Sequence, residues 1–120
     1  MKLKIDDSKR ISAVQKEFND AFPYLKLEFF ERPHAKGSGS PKGQMKSASL
    51  TLEQCRKQHG SGSLVIQESQ SVASVEKLFF ELYGLSVQVF RKSGKLWLET
   101  MMTDDWTLKQ QNEHGRELSS

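Results

Sequence analysis

Residues 3–22, LKIDDSKRISAVQKEFNDAF, lie over residues 64–83, LVIQESQSVASVEKLFFELY, at a constant offset of 61. Leu3 meets Leu64, Ile5 meets Ile66, Ser8 meets Ser69 and Ile11 meets Val72. Val14 then meets Val75, Lys16 meets Lys77, Phe18 meets Phe79 and Phe22 meets Tyr83. One residue drops out and the match continues at an offset of 60: Leu25 with Leu85, Leu27 with Val87, Phe29 with Val89, Phe30 with Phe90, Arg32 with Lys92. Amphipathic segments share periodicity, so single matches mean little. Agreement in element order and length along the whole stretch points to a duplicated unit, with repeats over residues 1–32 and 63–92.

Each copy parses in the same way. Residues 1–5 alternate with period two, as a half-buried strand does. Asp7 or Ser8 is placed to cap a helix whose stripe is Ile11, Val14, Phe18, Ala21 and Phe22, and Pro23 stops it. Leu25, Leu27 and Phe29 make the apolar face of a second strand. In the second copy Ser71 is the cap, Val72, Val75, Phe79, Leu82 and Tyr83 the stripe, and Gly84 the left-handed stop. Leu85, Val87 and Val89 lead the closing strand. A β-α-β unit of this kind predicts parallel strands and a right-handed crossover.

Three additions complete the chain. Thr51-Leu52-Glu53-Gln54 reads as a capping box opening a short helix, with residues 51–59 assigned to that element. The turn Arg91-Lys92-Ser93-Gly94-Lys95 leads into an antiparallel strand, Leu96-Trp97-Leu98-Glu99. Asp104 and Asp105 precede a polar helix over residues 106–114, ended by Gly115. The predicted order is β-α-β-α-β-α-β-β-α. The predicted fold is α/β or α+β: a single domain over residues 1–120, with one mixed five-stranded sheet carrying the two long helices on one face.

Residues 33–50 pose a separate question, because glycine, serine and lysine after a strand suit a phosphate-cradling loop. The Walker pattern fails, since Lys42 stands where its second glycine belongs, five residues after Gly37. The dinucleotide fingerprint fails at the same residue, and no helix cap appears until Thr51. The segment reads as a flexible basic connector. It also holds the charge excess: residues 32–57 carry six Lys/Arg and one acid, whereas the rest carries twelve Lys/Arg and fourteen acids, leaving the chain at +3. An electrostatically attracted anion is expected there.

No apolar run approaches the roughly 20 residues needed to span a bilayer, and the alternating, acidic start is no signal peptide. Lone Cys55 permits no internal disulfide. A cytoplasmic setting without membrane contact is the expectation.

Candidate binding residues follow from the repeat. Phe30 and Phe90 occupy matching places and point away from the apolar strand faces, with Arg32, Arg91 and Lys92 beside them and Trp97 on the hairpin. Lys36, Lys42 and Lys46 add charge from the connector. An aromatic sheet face ringed by cations suits a protein partner or self-association, the leading reading, and single-stranded nucleic acid is the alternative. An enzyme ranks third, since it needs distant residues such as His34, His114 and Asp104 to converge. Cys55 and His59 share a helix face but lack a third ligand, so no metal and no cofactor is expected. Asp104 and Asp105 read as helix caps rather than catalytic carboxylates.

Overall fold

The computed structural model describes residues 1–32 and 44–119. Strand β1 (Lys2–Ile5), helix α1 (Ile11–Ala21) and β2 (Leu25–Phe30) are followed by a single 3-10 turn, Glu53–Cys55. Then come β3 (Gly62–Val65), α2 (Val72–Tyr83), β4 (Ser86–Ser93), β5 (Leu96–Glu99), a second 3-10 turn at Met101–Thr103 and α3 (Leu108–Ser119). The fold is mixed α+β.

Its sheets depart from the expected one. Among the described residues β1 pairs with β3, antiparallel, and β2-β4-β5 form a separate antiparallel sheet. The single five-stranded mixed sheet with parallel β-α-β crossovers is therefore corrected to two antiparallel sheets of two and three strands. The reason is that alternation sets which side chains face the core but leaves open the partner and direction of a strand. Here β1 pairs with β3 and β2 with β4, each with its counterpart in the other half, while β5 adds to β4.

The registers make this concrete. Leu3 faces Leu64 across β1 and β3, and Glu28 faces Gln88 across β2 and β4. Both are positions matched by the sequence offsets, so each of these strand pairs is in register about a matched residue. Hydrogen bonds recur in the same way. Ile11 N–H donates to Leu50 O at 2.9 Å, and Val72 N–H to Trp106 O at 3.0 Å. Ser12 N–H reaches Ala48 O at 3.0 Å, and Ala73 N–H reaches Asp104 O at 2.8 Å. Leu52 N–H binds Lys9 O at 2.8 Å, and Leu108 N–H binds Gln70 O at 2.9 Å. These bonds satisfy donors that a helix start leaves unpaired. The first helix thus needs no side-chain cap: Asp7 and Ser8 do not cap α1, which begins at Ile11 after an uncapped Arg10. Ser71 does cap α2, accepting from Ser74 N–H at 3.1 Å, and Gly84 closes it at φ +65°.

The core divides evenly. Ten residues come from the first half (Leu3, Ile5, Ile11, Val14, Phe18, Phe22, Leu25, Leu27, Phe29, Leu52) and ten from matching positions in the second. Phe29 and Phe79 meet edge to face at 6.4 Å, and Phe18 leans on Phe22 at 5.2 Å. Burial of each such ring contributes about 1.5–3 kcal/mol.

The halves differ at their ends. The predicted short helix shrinks to the 3-10 turn, because Arg56 turns extended (φ −146°, ψ 157°). Its guanidinium binds Asp7 Oδ1 at 2.9 Å and Tyr83 O at 3.1 Å, drawing the chain out of helical geometry. At the matching place Thr107 starts a full helix. α3 runs past Gly115 to Ser119, so that glycine does not end it, and Asp104 and Asp105 do not cap it. Thr107 Oγ1 accepts from Gln110 N–H at 3.1 Å instead.

Candidate functional site

The residues singled out for an aromatic, basic sheet face separate into three places. Phe30 is 2% exposed and Phe90 is 9% exposed, so neither ring lies open to a ligand. Phe30 is held between Ser86 of β4 and a bridge to Met45. Phe90, in the central strand, is covered by the protein's own cation: Lys26 Nζ sits 5.5 Å from its ring centroid and 5.2 Å from that of half-buried Trp97. Such a cation occupies the ring faces that a base would stack on. The open aromatic face is corrected accordingly. Lys92 lies in register with Trp97, near this cluster.

Arg91 takes the opposite sheet face, where its Nη1 donates to Gln111 Oε1 at 3.0 Å and burial lowers its pKa. Lys36 and Lys42 lie outside the described residues, as does His34.

Arg32 and Lys46 do come together. With Lys57 they line an open groove of about 530 Å³, bordered also by Glu31, Gln54, Arg56, Phe80, Gly84 and Ser86. Among the described lining residues four cations stand against one acid. Arg56 is already committed to Asp7 and the Tyr83 carbonyl, which leaves Arg32, Lys46 and Lys57 as the charges facing the opening. No salt bridge joins these three to an acid among the described residues. Phe80 on α2 lines the groove and is 45% exposed, an apolar spot beside the basic residues.

The matching space in the other half explains the groove. Glu31, Arg32 and Gly84 correspond to Arg91, Lys92 and the Pro23-Tyr24 corner. There α3 fills the space: a Cβ on Gly115 would stand 2.8 Å from Tyr24 Cβ, 3.1 Å from Arg91 Cγ and 3.2 Å from Lys92 O. Asn112 pins that helix by accepting Tyr24 N–H at 2.9 Å. In the first half Arg56 takes the Asn112 position and the chain leaves. Beside Gly84 the first half places Gln58, its Cβ within 3.2 Å of a Cβ on that glycine, and among the described residues no helix follows there.

Sequence reasoning missed this relation, although a signal was present. Thr51-Leu52-Glu53-Gln54 repeats as Thr107-Leu108-Lys109-Gln110. In each, the glutamine carbonyl accepts the threonine N–H, at 2.9 and 2.8 Å.

The groove offers no evident nucleophile. Burial pushes the Cys55 thiol up, with Lys46 drawing it part of the way back, and Sγ donates to Thr51 O at 3.3 Å. His59 turns elsewhere, to Asp7 Oδ2 at 3.0 Å. Among the described residues no group of three or more His, Cys, Asp or Glu is placed to hold a metal ion. His114 packs edge to face on Trp106 at 5.6 Å, and Asp104 is buried with its carbonyl bonded to Ala73. No described helix is long and apolar enough to cross a membrane. Comparison with known protein families, with curated proteins and with solved structures finds no match to the chain.

Proposed function

We propose that the chain is a duplicated unit acting as a small protein-interaction module. Its open groove takes a helical segment of a partner protein, one that is acidic and has a glycine or alanine at its closest approach. The observation that carries this reading is the occupant of the matching space, α3, seated on Tyr24, Arg91 and Lys92 through Gly115. Helix-in-groove recognition needs an apolar anchor and a polar surround. Phe80 supplies the anchor, and Arg32, Lys46 and Lys57 supply a surround that steers acidic side chains inward. The unaided thiol of Cys55 and the separate engagements of His59 and His114 give no comparable support to an enzyme.

The test uses the full chain, isotopically labelled for NMR, and a synthetic peptide of residues 106–119. A second peptide carries Lys109→Glu and Arg116→Glu. Both peptides should shift resonances of Arg32, Lys57, Phe80 and Gly84, the acidic one at lower concentration. The Lys46→Glu, Lys57→Glu double variant should lose the response while keeping its melting temperature. Absence of shifts at millimolar peptide defeats the proposal. A response to an oligothymidylate but to neither peptide replaces it with the nucleic-acid reading.

A further inference from the structure

We infer that β5 pairs antiparallel with the β5 of a second copy of this chain, giving a two-fold dimer whose three-stranded sheets join into one of six strands. This rests on the hairpin edge and not on the groove. β5 is an outer strand, paired on one side only with β4. The orientation of its backbone follows from the turn. Ser93 and Leu96 flank a two-residue loop with Gly94 at φ +63°, so they exchange hydrogen bonds, as do Arg91 and Leu98 two places on. Trp97 and Glu99 therefore turn their N–H and C=O groups outward. Two contacts fix this parity independently. Lys92 N–H, opposite Trp97, points the other way to Tyr24 O at 2.9 Å, while Val89 O points toward β5 and accepts from Thr100 Oγ1 at 2.8 Å. Among the described residues no further backbone bond closes the outer edge of Lys95, Trp97 or Glu99.

An unpaired edge is a template for another strand, and this one is complementary to itself. Residues 95–99 read Lys-Leu-Trp-Leu-Glu, a palindrome in chemical character. Antiparallel pairing centred on Trp97 places Trp97 against the partner's Trp97, Leu96 against Leu98, and Lys95 against Glu99. The two-fold axis makes both charge pairs twice over. The parity is also the required one, since all three outward-facing residues meet outward-facing residues. A slip of one residue breaks the hydrogen bonding, and a slip of two removes both charge pairs. Leu96 and Leu98, 66% and 41% exposed, would each pair with the partner's counterpart, covering apolar side chains that stand open in the monomer. Neither Lys95 nor Glu99 has an ion-pair partner among the described residues.

The experiment is sedimentation velocity on the full chain from micromolar to millimolar concentration, with Lys95→Glu, Glu99→Lys and the double swap. The wild type should show a concentration-dependent dimer. Each single reversal puts like charges face to face at two places and should raise the dimer dissociation constant at least about tenfold. The double swap restores opposite charges and should recover the dimer. Unchanged circular-dichroism melts keep the comparison clean, because Lys95 is an exposed turn residue. A wild type that stays monomeric throughout overturns the inference. So does a dimer indifferent to both single reversals, or a double swap that fails to rescue.

Discussion

Two ends of this molecule start from the same four-residue pattern and finish differently. At residues 107–110 the threonine-leucine-x-glutamine stretch opens a helix of twelve residues that covers the sheet beside Arg91. At residues 51–54 it opens one 3-10 turn of three, after which Arg56 breaks away and a groove stays open. The difference lies in one side chain each. Asn112 is short, accepts a single bond from the Tyr24 backbone and leaves the helix undisturbed. Arg56 is long and fully buried at its side chain, and with its backbone extended it reaches Asp7 and Tyr83. Among the described residues, one end thus carries a helix over the sheet and the other a groove.

The comparison breaks most visibly at its anchors. Leu52 and Leu108 are matched and both fully buried, so each change to alanine should cost about 2–5 kcal/mol in urea unfolding. If the two ends carry equal structural weight, the two losses agree within about 1 kcal/mol. A much smaller loss for Leu52 would mean that the open end contributes little to stability. Next comes the divergent pair. Arg56→Met removes charged hydrogen bonds from a buried site and should cost about 2–3 kcal/mol, against about 1 kcal/mol for Asn112→Ala. Equal values would undo the account of why the ends differ.

Glycines sharpen it further. Alanine usually improves a helix interior by about 1 kcal/mol, yet Gly115→Ala should lower the melting temperature, because its Cβ collides with Tyr24. Gly84→Ala should cost about 1 kcal/mol for a different reason: a left-handed backbone and Gln58 Cβ at 3.2 Å. Lys26→Met, which removes the cation from between two rings, should cost about 1 kcal/mol and increase Trp97 solvent quenching.

The smallest effect is one of pH. Burial raises the Asp7 carboxyl, but bonds from His59 and Arg56 outweigh it and hold the pKa below 3.8. A folded value below the unfolded one stabilises above the unfolded pKa and is lost as pH falls through the folded value. The Arg56→Met protein should therefore show a flatter acid limb below about pH 4 in chemical denaturation.

Much of this was readable from residue order. The alternation of Leu25, Leu27 and Phe29 marked the buried strand face, and the Ile11-Val14-Phe18 stripe marked the helix that covers it. Ser71 and Gly84 bounded α2 where their side chains and backbone freedom place them. Strand partners were not readable, since nothing in period-two patterning distinguishes a neighbour in the same half from one in the other. The groove was half readable. Arg32, Lys46 and Lys57 stood out as charge, but Phe80 and Gly84 join them only through the fold. The match between residues 51–54 and 107–110 was obscured because the offset falls from 60 to 56 between β2 and that stretch. Gly115 was misread as a terminator because glycine signals a stop and a tight contact with the same letter.

Because β1 is bonded to β3 and β2 to β4, neither sequence half owns a complete sheet. During synthesis the first sixty or so residues emerge with every strand lacking its mate, and the hydrogen-bond ladders close only when the later strands arrive. Folding should then be late, concerted and intolerant of nicking within either half. A ribosome stalled midway would leave a nascent chain whose nearest substitute for the missing half is another nascent chain like itself.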